Sequence, residues 1–410
     1  VEDQVTISDN NGITVTDRDI TYNGNIIGNI DITNNGVNGN SLKVNFINTD
    51  ANLAAVKALI QSLTYQNLSN TPNASRTISI TVDDGDGGIS DAVTKEIKVF
   101  AENDAPVNTV PGQQNINEDA TFTFTGDNVI SISDVDAENN SVKVKLEATN
   151  GTLDLNGVSG LSFTNGDGTD DAIIEIDGTI SDINNALNGM LYKPNENYNG
   201  DASVTITTDD LGNSPSGAKN DIDVVNFNVQ AVNDAPVNTV PNQTQTVKED
   251  SDIGLVFNTA NNNLIKIEDV DADDSNGTGI VQVTLGVAKG SLTLSSTNGI
   301  NFTQNTSNGT SSLIFTGKVV DINQALDGLV YRGNLNQNGA DTLNIRTEDL
   351  GNFGEGGNQI AESSINITID AVNDAPANTV SIAQSVDEDT DLIFSSNNQN
   401  EIKVDDVDVN

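Results

Sequence analysis

Cysteine and histidine are both absent from this chain of 410 residues. Disulfides, Cys/His zinc sites and catalysis by a thiol or an imidazole are thereby excluded. Tryptophan is missing as well, and aromatic residues make up only 4%, which argues against a stacking platform for sugars. Positive charge is scarce: 17 Lys and Arg stand against 60 Asp and Glu, a formal net charge of −43. Nucleic acid is not an expected partner, because neutralising phosphates takes Lys and Arg. An anionic membrane surface would repel the chain, and no apolar run is long enough to span a bilayer. The sequence starts at Val1 with neither Met nor a signal peptide, and reads as an internal piece of a longer protein.

Hydrophobic residues reach 35% and are patterned, so the acidity does not signal disorder. Two uses for so many carboxylates stand side by side: a solvating surface and defined cation sites. Repetition favours some of the second. Asn103-Asp104-Ala105-Pro106 returns at Asn233 and again at Asn373, at intervals of 130 and 140 residues. These are domain-sized repeats.

Further landmarks follow in the same order. An acidic pair comes early: Glu2-Asp3, Glu118-Asp119, Glu249-Asp250 and Glu388-Asp389. An Asp-x-Asp comes next, at Asp17 and Asp19, Asp134 and Asp136, Asp269 and Asp271, Asp406 and Asp408. Gly151-Thr152-Leu153 is matched by Gly290-Ser291-Leu292, and a Tyr recurs as Tyr65, Tyr192 and Tyr331. An acidic turn closes each repeat, at Asp83-Asp84, Asp209-Asp210 and Glu348-Asp349. The expected modules are 1–105 (its N-terminal strand region truncated), 106–235, 236–375 and the opening of a fourth over 376–410. The Pro after each Asn-Asp-Ala marks a boundary, because it fixes its own φ and holds the preceding residue extended.

Most of each repeat alternates with period two, as in Val142, Val144 and Leu146, or Ile365, Ile367 and Ile369. That period marks strands with one buried face, and Gly/Asn/Asp turns separate them. The expected fold is all-β: tandem antiparallel β-sandwich modules, each large enough for its own core. One segment per repeat has helical spacing instead: Leu53, Val56, Leu59, Ile60 and Leu63; Ile183, Ala186, Leu187, Met190 and Leu191; Ile322, Ala325, Leu326, Leu329 and Val330. A short helix is predicted there, with Asp182 or Asp321 near its N-cap. The following Tyr is expected to pack with its hydroxyl on a backbone partner.

Calcium takes six to eight oxygen ligands, and extended Asp-x-Asp presents both carboxylates on one side. Two such charges repel unless a cation lies between them. The stretches Asn165–Thr169 and Asp84–Gly88 hint at EF-hand loops, but neither has Glu at loop position twelve, and plain turns are expected.

The order of these motifs resembles the cadherin-like modules of large bacterial surface proteins, and less closely animal cadherins and chondroitin-sulfate-proteoglycan repeats. Asn-Asp-Ala-Pro resembles the cadherin linker, and Asp134-Val135-Asp136 the cadherin Asp-x-Asp. Thr208–Gly212 resembles the acidic turn before the last strand, and Tyr192–Gly200 the bacterial form of the repeat. The resemblance implies Ca²⁺ at the junctions of successive modules. It places Glu2, Asn103, Asp104, Asp134, Asp136 and Asp210 at the first junction. It places Glu118, Asn233, Asp234, Asp269, Asp271 and Asp349 at the second, and Glu249, Asn373, Asp374, Asp406 and Asp408 at the third. The linker lacks the second Asn of the animal form, and no mid-module Asp-Arg-Glu is found, so one or two ions per junction are expected.

The function implied is a calcium-rigidified extracellular spacer of a cell-surface adhesin. Its partners would be calcium ions, neighbouring modules of the same chain and, through other regions, another surface or protein. The alternative is homophilic or ligand-binding adhesion. An enzyme is not expected: a carboxylate-pair glycosidase site would occur once, whereas these motifs occur in every repeat.

Overall fold

The computed structural model describes residues 2–212, 217–273 and 278–409. The chain divides into two compact units. One comprises 1–196 with 201–229, the other 197–200 with 230–410.

Within the first unit, the residues after Asn103 form a six-stranded sheet and a three-stranded sheet. The larger has the order Gln114–Asn117, Asn220–Gln230, Gly200–Asp209, Ser141–Ala148, Ile173–Thr179, Ser162–Asn165. The central strand Ser141–Ala148 shows how sequence sets position. Val142, Val144 and Leu146 are fully buried, while Lys143, Lys145 and Glu147 line the other face. Each such burial contributes about 1.5–3 kcal/mol. Val144 sits opposite Ile176 on one side and Thr208 on the other, both antiparallel. The smaller sheet is Phe122–Thr123, Leu191–Pro194, Gly151–Asp154. Its Tyr192 ring stacks on Phe227 of the larger sheet, with centroids 4.4 Å apart, so both sheets close on one core.

The second unit repeats this plan. Its six strands run Gln245–Lys248, Ile360–Asp370, Gly339–Glu348, Ile280–Gly286, Ser312–Lys318, Asn301–Phe302. Leu255–Phe257, Leu329–Gly333 and Gly290–Thr293 form the smaller sheet. One core joins Phe257, Leu292 and Tyr331 of the small sheet to Val283, Leu343 and Ile367 of the large one. The all-β sandwich expectation holds. The edge strand Gln245–Lys248 pairs parallel to Ile360–Asp370, whereas the other described strand pairs of this sheet are antiparallel. Gly151 and Gly290 recur for a steric reason: a Cβ there would lie 2.7 Å and 2.6 Å from the rings of Tyr192 and Tyr331.

The three short helices form where predicted: α1 Leu53–Gln61, α2 Ile180–Leu187 and α3 Val319–Leu326. The cap of α2 is Thr179, whose hydroxyl accepts from the Asp182 N–H; Asp182 itself sits one turn inside. In α1 the cap is Asn52, and Ala55, Ala58 and Leu59 are buried, whereas Leu53 is 70% exposed.

The first repeat differs from the others. Ile13–Thr16, Asp19–Tyr22, Asn25–Asn35 and Leu42–Phe46 form one sheet, with a core of Ile13, Ile20, Ile27, Ala55, Ala58 and Leu59. Asp3–Ile7 pairs with Leu63–Asn67 so that Val5 faces Tyr65, as Leu153 faces Tyr192. Glu2-Asp3 therefore stands where Asn150-Gly151 stands, not where Glu118-Asp119 stands. Asp17 and Asp19 belong to a hairpin turn, with Thr16 opposite Asp19 and Asp17 at φ 53°. A groove of about 800 Å³ lies where the strand matching Ser141–Ala148 would run, bordered by Val44 and Phe46 on one side and Ile78 and Ile80 on the other. Ile78 and Ile80 stay half-buried there, while their counterparts Val204 and Ile206 are fully buried.

Candidate functional site

Two matching clusters gather most of the acidic landmarks, one inside each unit. In the first, Asn103 is 1% exposed and its Nδ2 donates to Asp210 Oδ2 at 2.5 Å and to the Gly217 carbonyl at 2.9 Å. The next backbone N–H, of Asp104, donates to Asp136 Oδ2 at 2.5 Å. The N–H groups of Asp136 and Ala137 both donate to Asp134 Oδ1, at 2.7 and 3.1 Å. The N–H groups of Gly212 and Lys219 donate to Asp210 Oδ1, at 2.8 and 2.9 Å. Each Asp thus uses one oxygen to fix a turn. Asp134 Oδ2 is buried with no hydrogen-bond partner.

The second cluster reproduces the first. Asn233 Nδ2 donates to Asp349 Oδ2 at 2.5 Å and to Gly357 O at 2.9 Å. Asp234 N–H donates to Asp271 Oδ2 at 2.5 Å. Asp271 and Ala272 N–H donate to Asp269 Oδ1 at 3.1 and 3.0 Å. Gly351 and Gln359 N–H donate to Asp349 Oδ1, both at 2.8 Å. Asn233 is 4% exposed, and its Oδ1 is buried with no partner. An unpaired buried acceptor costs about 1–3 kcal/mol, and each cluster has one beside its carboxylates.

A third grouping lies around Asp374, also within the second unit. Its N–H donates to Asp408 Oδ2 at 2.5 Å, and Asp408 N–H donates to Asp406 Oδ1 at 3.0 Å. Glu249, 3% exposed, accepts the Val372 N–H at 2.8 Å. Asn373 turns its amide to the Asp374 carbonyl, 2.9 Å away. Partial desolvation pushes the Asp374 carboxyl above the usual range, and the negative charges of Asp250, Asp408, Glu249 and Asp406 add to it. Asp210 goes the other way. Burial opposes its ionisation, but the N–H groups of Lys219 and Gly212, the Asn103 amide and the Lys219 charge hold its pKa below the usual value.

Glu2 stands apart from these contacts. It is exposed, and its carboxylate pairs with Arg76 at 2.8 Å. No described contact ties it to Asn103 or Asp104, because its strand takes the place of Gly151–Asp154. Glu118, 4% exposed, belongs to the first unit, and Asn233, Asp234, Asp269, Asp271 and Asp349 belong to the second. The acidic pair does not reduce to one member. Glu249 holds Val372, while Asp250 Oδ1 accepts the Asn336 N–H at 2.9 Å. Asn336, its amide turned to satisfy both neighbours, donates to Asp374 Oδ2 at 3.2 Å and to Asp250 Oδ2 at 3.1 Å. The run from Asn334 to Gly339, matched by Asn195 to Gly200, was the signal for this participant.

The EF-hand-like stretches are turns. Asp171 Oδ2 accepts the N–H groups of Asp167 and Gly168, and Asp84 Oδ1 those of Asp86 and Gly88. Among the described residues no three carboxylates form a ready-made metal cage. The donor set is hard oxygen throughout, which suits calcium.

No protein-family profile and no curated protein matches the chain. Among solved structures, extracellular cadherin domains 1–5 of protocadherin gamma B2 are similar at 15% identity and TM-score 0.31, over 91% of this chain and 54% of that one. Domains EC21–23 of human CDH23 are similar at 14% and 0.31, over 89% and 88%. Domains EC1–3 of mouse protocadherin-24 are similar at 13% and 0.28, over 91% and 90%. This chain thus spans about half the length of the first. Likenesses at such scores establish no shared function.

Proposed function

We propose that the chain is a calcium-stiffened spacer of an extracellular bacterial adhesin, its modules meeting at 105/106, 235/236 and 375/376. The observation that carries this reading is the pair of buried, partnerless oxygens, Asp134 Oδ2 and Asn233 Oδ1, set in clusters that match residue for residue. Asn103, Asp104, Asp134, Asp136 and Asp210 would hold one site. Asn233, Asp234, Asp269, Asp271 and Asp349 would hold the next. Glu249, Asp374, Asp406 and Asp408, with Asp250 and Asn373, would hold the third.

A bound divalent cation supplies the positive charge that offsets carboxylate repulsion. The chain's own part is to fix one oxygen of each Asp on backbone N–H groups, leaving the other in place. Sites in extracellular modules bind calcium at about 10⁻⁴–10⁻³ M. At tenfold saturation each adds about 1.4 kcal/mol to stability. Calorimetric titration with calcium, paired with thermal unfolding in chelator and in calcium, tests the reading. Saturable binding and a raised Tm are expected. No heat of binding and an unchanged Tm would overturn it.

A further inference from the structure

Lys219 and Gln359 occupy one position in two repeats. Each donates its N–H to the buried acidic-turn Asp, and each follows two residues after the Gly whose carbonyl accepts the linker Asn amide. Their side chains differ in charge. The Lys219 ammonium donates to the backbone carbonyl of Asn103 and lies near enough to Asp210 to stabilise its ionised form. In the second cluster a neutral amide takes its place, and Glu355 adds a carboxylate to the same loop. That loop is tied to the cluster, since the Asn233 N–H donates to the Glu355 carbonyl at 2.7 Å.

We propose that Lys219 is a built-in counter-ion that lowers the divalent-cation affinity of the Asn103–Asp210 cluster relative to the Asn233–Asp349 cluster. This rests on the cation-site reading above. The tethered ammonium supplies part of the positive charge that a divalent ion would bring, and it repels that ion. It also uses the Asn103 carbonyl oxygen, an otherwise suitable ligand. In the second cluster, among the described residues, no ammonium takes the matching place, which Gln359 holds. The two clusters therefore load at different calcium concentrations: the second first, the first only as calcium rises. The first cluster also holds together better without calcium, because its Asp210 keeps a permanent charge partner.

Calcium titration of the whole chain by calorimetry, with Lys219→Gln, Lys219→Arg and Gln359→Lys variants, tests this. Lys219→Gln tightens the weaker class of site by about tenfold, the scale expected for one exposed unit charge a few ångströms away. Lys219→Arg leaves it within about twofold, since the charge remains. Gln359→Lys weakens the tighter class by about tenfold. Thermal unfolding in chelator checks that each variant folds, and the Gln359→Lys arm stands alone if Lys219→Gln does not. Calcium bound with one affinity by all four proteins overturns the inference and leaves the cation-site reading intact. Calcium bound by none of them overturns both.

Discussion

The amide of Asn233 donates to Asp349 Oδ2 at 2.5 Å, while its own oxygen, equally buried, meets no donor. Half the side chain locks the linker to the acidic turn and the other half is left open. Asn233→Ala removes the lock and strands Asp349 Oδ2. In chelator this should cost about 1–3 kcal/mol, read as a lower urea midpoint. A loss below about 0.3 kcal/mol would mean the contact is incidental.

Tyr192 and Tyr331 hold the same place but different partners. Tyr192 donates to the Thr149 carbonyl at 3.0 Å, whereas Tyr331 donates to Asp341 Oδ2 at 2.8 Å, and Asp341 also accepts N–H groups from Ala288, Lys289 and Thr342. Bonds to a charged acceptor are worth about 1.5–3 kcal/mol, against about 1 for a neutral one. Tyr331→Phe should therefore destabilise more than Tyr192→Phe in parallel urea melts.

Asp341 gives the second unit an acid limit. Burial raises its pKa, but the Lys289 N–H, the Tyr331 hydroxyl and the Thr342 and Ala288 N–H groups outweigh it, so the net shift is downward. A depressed carboxyl contributes stability above its unfolded value near 3.8, lost as pH falls through the folded value. Asp341→Asn should flatten the fall in Tm below about pH 4, the range in which ordinary carboxylates titrate.

Asp374 has the opposite sign. Its raised pKa favours the protonated form in the folded state. In chelator, closure of that cluster should weaken as pH rises through the raised value. Saturating calcium should abolish the trend, and Asp250→Asn should reduce it, as followed by amide exchange at Val372 and Asp374.

Strand placement was readable because alternation and burial coincide, as at Val142, Val144 and Leu146. The helix in the first repeat was located, but its buried face only in part: Leu59 is buried as expected, while small Ala55 and Ala58 are buried too and Leu53 is left out. Glu2-Asp3 matched a short motif, and motif matching cannot tell which strand partner a pair will meet; Arg76, 74 residues away, decided it. Lys219 was invisible for the same reason, since its role comes from a loop folding back over Asn103; Asn336 was marked only by the repeat of its run, and its contact with Asp374 again comes from folding. The linker Asn, the Asp-x-Asp and the turn Asp were legible because repetition marks them.

Small-angle X-ray scattering of the chain in excess chelator and then in millimolar calcium tests the central claim most directly. The account predicts a larger maximum dimension and a narrower spread of conformations with calcium, reversed by Asp349→Asn. Superimposable profiles, with calcium shown to be bound, would contradict it.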